Sequence, residues 1–99
     1  MQAVNSALVS PAPKQQDRAM LTGVQIRAAR ALLRWTTGEL AKRSGVGIAT
    51  VHRAEAVDDV PPMNARTLMK LRDSLQEAGV EFLDGNYSGS GGPGVRLKA

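Results

Sequence analysis

The chain has 99 residues, no cysteine, one histidine and a formal net charge of +4. That length allows one small domain, the missing cysteines exclude a disulfide framework or a thiolate metal site, and a single histidine, His52, is too little for an imidazole-built metal or catalytic array. No apolar run reaches the ~18 residues that a bilayer-spanning helix needs, and the start lacks the basic-then-apolar pattern of a secretory signal, so a cytoplasmic protein without a membrane segment is expected.

Residues 1–20 carry Gln, Ser, Pro and Lys without a sustained period and read as a disordered N-terminal arm with Lys14 and Arg18 among its charges. The packed domain is expected over 21–79. Thr22 followed by Gln25 is a capping box, with side chain and backbone satisfying each other's orphan groups at a helix start. It opens a first helix over Gly23 to Arg34, with Ile26, Ala29, Leu32 and Leu33 on the buried face and Gln25, Arg27 and Arg34 in water. Thr36 followed by Glu39 is a second capping box and starts a helix running to about Arg43. Gly45 falls where the chain leaves that helix and reverses, a position suited to the left-handed conformation. A third helix follows over Ile48 to Ala56, with Val51 and Ala54 inward. Asp58, Asp59, Pro61 and Pro62 make a loop. A fourth helix runs from the Asn64 cap to Ala78 on a stripe of Leu68, Leu71 and Leu75, and Gly79 stops it.

Beyond Gly79 the period changes. Residues 80–83 and 94–97 are short strand-like runs joined by a glycine- and serine-rich connection, so 80–99 reads as a β-hairpin or tail that docks on the helices or pairs with another subunit. The glycine run at 89–94 lacks the strand-to-helix context and the Lys-Ser/Thr of a phosphate-binding loop. No cofactor is implied. The fold class expected is mainly α: a compact four-helix domain with a short C-terminal β-hairpin.

Charge is unevenly distributed. Between Thr22 and Glu55 there are six basic residues against two acidic ones, whereas 56–99 carries five basic and six acidic. The positive field therefore coincides with the two short helices on either side of Gly45, as a surface that attracts phosphate requires. The stretch TTGELAKRSGVGIATVHRAE, Thr36 to Glu55, reads as a DNA-binding helix-turn-helix.

With IRAARALLRWTTGELAKRSGVGIATVHRAE and the later TLMKLRDSLQEAGVEF, the chain resembles the phage-repressor-like, xenobiotic-response-element (Xre) type of helix-turn-helix regulators over about Thr22 to Leu83. The closing GPGVRLK resembles the tail of a bacterial subgroup of small regulators that end in a similar hairpin. The resemblance implies a buried ion pair between Arg30 and Glu55. It implies phosphate contacts at the start of the second helix, Thr36 and Thr37, with Lys42 and Arg43 adding charge. It also implies base reading by Ile48, Ala49, Thr50, His52 and Arg53. Ile48 and Ala49 offer only apolar contact, suited to thymine methyl groups. Arg53 could take guanine O6 and N7 bidentately or lie along the backbone, and His52 could donate to guanine or phosphate or simply be an exposed helix residue.

The chain departs from the pattern at Val57, Asp58 and Asp59, where glycine and basic residues often grip phosphate. It also has Gly47 where a Ser or Thr cap is common, and Thr37 where glutamine is frequent. Binding that depends on dimerisation or a partner is expected. The reading is a sequence-specific regulator of double-stranded DNA, a homodimer on an inverted repeat. The alternative is a protein-interaction module that keeps the fold and recruits RNA polymerase, a toxin or another regulator, motivated by the Asp58-Asp59 loop and the Tyr87 region. An enzyme has no paired nucleophile and base in this sequence.

Overall fold

A computed structural model of the chain describes residues 21–83 and 92–98. The expected arm at 1–20, and Tyr87 with most of the glycine-rich connection, lie outside those residues. The described chain forms four helices, α1 (Gly23–Leu33), α2 (Thr37–Ser44), α3 (Ile48–Glu55) and α4 (Ala65–Glu77), followed by strands β1 (Val80–Leu83) and β2 (Gly94–Leu97). Among the described residues no helix is long and apolar enough to cross a membrane.

Each helix starts where its cap lies in the sequence. Thr22 Oγ1 accepts from the Gln25 N–H at 3.1 Å while Gln25 Oε1 accepts from the Thr22 N–H at 3.1 Å. Asn64 Oδ1 accepts from the Thr67 N–H at 2.8 Å and opens α4. The helix ends fall within a residue of expectation, because the residues placed last act as caps: Arg34 turns left-handed after α1 (φ 60°), and Ala56 and Ala78 close α3 and α4.

The core is continuous across all six elements. Leu21, Ile26, Ala29, Leu40, Val51, Ala54, Leu71, Leu75 and Val80 have no exposed surface. Each fully covered Leu contributes about 2 kcal/mol of transfer free energy. The hairpin pairs antiparallel with Val80 opposite Leu97 and Phe82 opposite Val95, and its inner face closes the end of the bundle formed by α1 and α4.

Three residues of α1 differ from the periodic reading. Gln25, expected in water, is buried at 4 % exposure, because its side chain does more than cap: Nε2 donates to the carbonyls of Leu83 and Gly94, both at 3.1 Å. Leu32, expected in the core, is 41 % exposed. It lies seven residues after Gln25, on the same line of the helix, but among the described residues no element covers it to the depth that the strands cover Gln25. Arg27 is also engaged rather than solvated.

The approach of α1 to α3 is set by Gly23. A Cβ there would lie 1.8 Å from the Val57 carbonyl oxygen and 2.5 Å from that of Ala54, and the Gly23 N–H donates to Asp59 O at 3.0 Å. The first residue of α1 is thus in backbone contact with the chain leaving α3.

Candidate nucleic-acid interface

The surface of interest is built by α2, the turn Gly45-Val46-Gly47 and α3. Gly45 is left-handed (φ 75°), and its N–H reaches the Ala41 carbonyl at 3.0 Å. Val46 follows with its side chain 8 % exposed in the core and its N–H bonded to Ser44 Oγ at 3.2 Å. One apolar side chain and one left-handed glycine therefore fix the crossing of the two short helices.

At the start of α2 the capping box is complete. Thr36 Oγ1 accepts from the Glu39 N–H at 3.0 Å, and Glu39 Oε1 accepts from the Thr36 N–H at 2.8 Å. First-turn N–H groups have no partner within their own helix, so with Glu39 and Thr36 satisfied, the Thr37 and Gly38 N–H groups remain as anion donors. Of the two threonines expected to hold phosphate, Thr37 keeps its N–H free for that task and Thr36 spends its own on the cap.

Along α3, Val51, Ala54 and Glu55 point inward. Ile48, Ala49, His52 and Arg53 are exposed on the opposite face, Ile48 to 48 %, whereas Thr50 is half-buried on the flank. Arg53 Nη2 donates to Thr50 Oγ1 at 3.2 Å. His52 Nε2 lies 3.2 Å from Thr37 Oγ1, tying the middle of α3 to the first turn of α2. A Cβ on Gly38 would meet Ile48 Cδ1 at 3.9 Å, so the Ile48 side chain leans toward that same turn. Four of the five expected base-reading residues thus share one exposed face, and the fifth braces Arg53.

Behind this face the predicted ion pair is present. Arg30 Nε and Nη2 meet Glu55 Oε2 and Oε1, each at 2.9 Å, and Nη1 donates to the Trp35 carbonyl at 3.0 Å. The hydrogen bond to Glu55 raises the Arg30 pKa against an opposing effect of burial, so the guanidinium stays charged. The pair connects the middle of α1, the end of α3 and the entry to α2.

The acidic loop has a partner that sequence reasoning missed. Arg27 Nη2 bonds Asp58 Oδ1 at 2.8 Å, and Arg27 Nη1 donates to the Glu55 and Val57 carbonyls. Arg27 is therefore committed to holding the loop. Of the six basic residues between Thr22 and Glu55, Arg27 and Arg30 are in ion pairs, while Arg34, Lys42, Arg43 and Arg53 have no carboxylate within salt-bridge distance among the described residues. Lys42 and Arg43 are exposed in the last turn of α2, where they line a cleft of about 340 Å³ with Glu39.

No protein-family model matches the chain, and no curated protein matches it. The functional reading rests on the geometry of this face.

Sequence reasoning also passed over Trp35, the one tryptophan of the chain. Its ring is half-buried against the core, and the Arg43 guanidinium lies 4.6 Å from the ring centroid. The available signal was its position directly before a capping box, where an aromatic residue serves as a staple for the incoming helix.

Proposed function

We infer that the domain is a sequence-specific double-stranded DNA-binding transcriptional regulator of the phage-repressor-like, Xre type, with α3 in the major groove. The observation that carries the reading is the face of α3: Ile48, Ala49, His52 and Arg53 are exposed together, the first turn of α2 has unsatisfied N–H groups, and Lys42, Arg43 and Arg53 have no carboxylate partner among the described residues. A large apolar side chain left half in water next to unpaired positive charge suits base edges and thymine methyl groups flanked by phosphate.

The domain acts as a homodimer on an inverted repeat, which sets two copies of α3 about 34 Å apart along one side of the duplex. His52 is held by Thr37 through Nε2 alone, which leaves its Nδ1 open for a base or phosphate. The reading is tested by in vitro selection from random duplexes followed by gel shift across a salt series. Enrichment of a two-fold symmetric site, with affinity falling steeply as salt rises, supports it; no enrichment and no binding at low salt refutes it.

One observation favours the protein-interaction alternative: Val24 and Leu32 of α1 are each 41 % exposed. Recruitment of RNA polymerase or another regulator through that helix would survive loss of the α3 face, so the two readings separate on an Ile48→Asp, Arg53→Ala variant.

A further inference from the structure

Trp35 is held at both ends of its own residue. Its N–H donates to the Arg30 carbonyl at 3.0 Å and its carbonyl accepts from Arg30 Nη1 at 3.0 Å, while Arg30 is clamped by Glu55. With its backbone so held and its ring half-buried against the core, the indole is a platform between α1 and α2, and the Arg43 guanidinium carbon lies over it. Arg43 lies seven residues after Thr36, on the same line of α2, and helical side chains lean toward the N-terminus. The stack carries the guanidinium back along α2 toward the turn whose Thr37 and Gly38 N–H groups are unsatisfied. A guanidinium stacked through its flat side keeps its N–H edge available, and Arg43 is exposed with no carboxylate in salt-bridge range among the described residues.

We propose that Trp35 is a positioning residue for nucleic-acid phosphate: it pre-orders Arg43 so that this side chain and the first turn of α2 grip the same stretch of DNA backbone. The proposal rests on the DNA-binding reading above. A flexible arginine would lose rotamer freedom on meeting phosphate, and stacking on a rigid ring removes most of that loss before binding. Lysine at 43 would keep the charge and lose the planar stack.

The test is a double-mutant cycle on the full chain, reading the affinity for a labelled duplex by fluorescence anisotropy from 50 to 200 mM salt. Arg43→Ala should lower the slope of log affinity against log salt by about 0.9, one phosphate contact, which over that range is roughly a 3.5-fold difference in affinity. Trp35→Leu should lower affinity at every salt concentration with the slope near wild type, because Arg43 keeps its charge, and the double variant should be no weaker than Arg43→Ala alone. Arg43→Lys, at an exposed position, keeps the charge and so the salt slope, but should lose affinity at fixed salt to nearly the extent of Trp35→Leu, and Trp35→Phe should lie between wild type and Trp35→Leu. None of these should alter the preference among duplex sequences. Additive losses in the double variant, or an Arg43→Lys variant equal to wild type, would overturn the proposal. Should Trp35→Leu fail to fold, the Arg43→Lys and Trp35→Phe arms decide. Wild-type protein that binds no duplex at low salt sinks the DNA reading itself, whereas wild-type binding with an additive cycle removes only the role of Trp35.

Discussion

Replacing Gly23 with alanine adds one methyl group at the first position of α1, and on helix propensity alone it should stabilise the protein by up to about 1 kcal/mol. The structure predicts the opposite sign. The new Cβ would sit 1.8 Å from Val57 O and 2.5 Å from Ala54 O, both backbone atoms that cannot rotate away. Contacts below 3.0 Å are not tolerated, so α1 and the α3 exit must separate by more than 1 Å. That movement strains the Gly23 N–H bond to Asp59 O and the Arg27 contacts to the Glu55 and Val57 carbonyls. Overpacking costs about 1–3 kcal/mol and a weakened hydrogen bond about 1 kcal/mol. The net expectation, after subtracting the propensity gain, is about 2 kcal/mol of destabilisation. For a domain this small that lowers Tm by roughly 8–16 °C. Urea unfolding followed by circular dichroism measures it, with Gly38→Ala as the control. A Cβ at Gly38 meets nothing closer than 3.7 Å, so that variant should gain stability. A Gly23→Ala protein as stable as wild type would refute the close approach of α1 to the α3 exit, and with it the account of how α3 is held.

Arg30→Ala leaves Glu55, whose side chain is 9 % exposed, without its partner, and should cost about 3 kcal/mol, the low end for a broken buried pair because Arg30 itself is partly exposed; an unchanged melting temperature would contradict it. Arg53→Ala should cost about 1–3 kcal/mol on a selected site and relax preference at one base position, whereas equal losses on selected and random DNA would assign Arg53 to phosphate. Arg34→Gly should raise stability by roughly 1 kcal/mol, since a non-glycine residue at φ 60° pays for its left-handed backbone; a loss in chemical denaturation would show that the Arg34 side chain matters to the fold. The Glu81 carboxyl is held below its ordinary pKa by the hydrogen bond from Arg96. Its contribution is therefore present above the unfolded-state value and lost as pH falls through the lowered folded one. Glu81→Gln should accordingly flatten part of the acid limb of a Tm-against-pH curve, and an unaltered limb would show that the pair adds nothing.

The elements were legible because their boundaries are local chemistry. Thr22, Thr36 and Asn64 are caps that act within three residues, Gly45 and Gly79 are left-handed stops, and the alternation in 80–83 and 94–97 gives the hairpin. Contacts between distant parts of the chain were less visible. Gln25 reads as a polar surface residue in any helical period, and only the arrival of Leu83 and Gly94 makes its burial favourable. Gly23 reads as an indifferent helix start until the carbonyls of Ala54 and Val57 are beside it. Asp58 reads as an unpaired repulsive charge until Arg27 is seen to hold it. Of the candidate site, the exposed face of α3 and the Arg30–Glu55 pair follow the resemblance. The Trp35–Arg43 stack does not, since it depends on side-chain direction as well as spacing.

Gln25 also has a bearing on the order in which the chain can become a domain. Its amide oxygen belongs to the opening of α1, while its amide nitrogen waits for carbonyls 58 and 69 positions further along. During synthesis, α1 can be capped early, but the Gln25 amide nitrogen has its full set of acceptors only once the second strand emerges. Burying that group short of an acceptor would carry a desolvation penalty of about 1–3 kcal/mol, so a chain halted before Gly94 closes its core less favourably by about that amount. Closure of the core is thereby linked to the arrival of β2, which favours an all-or-none transition in which α3 becomes firmly held only once that strand is in place.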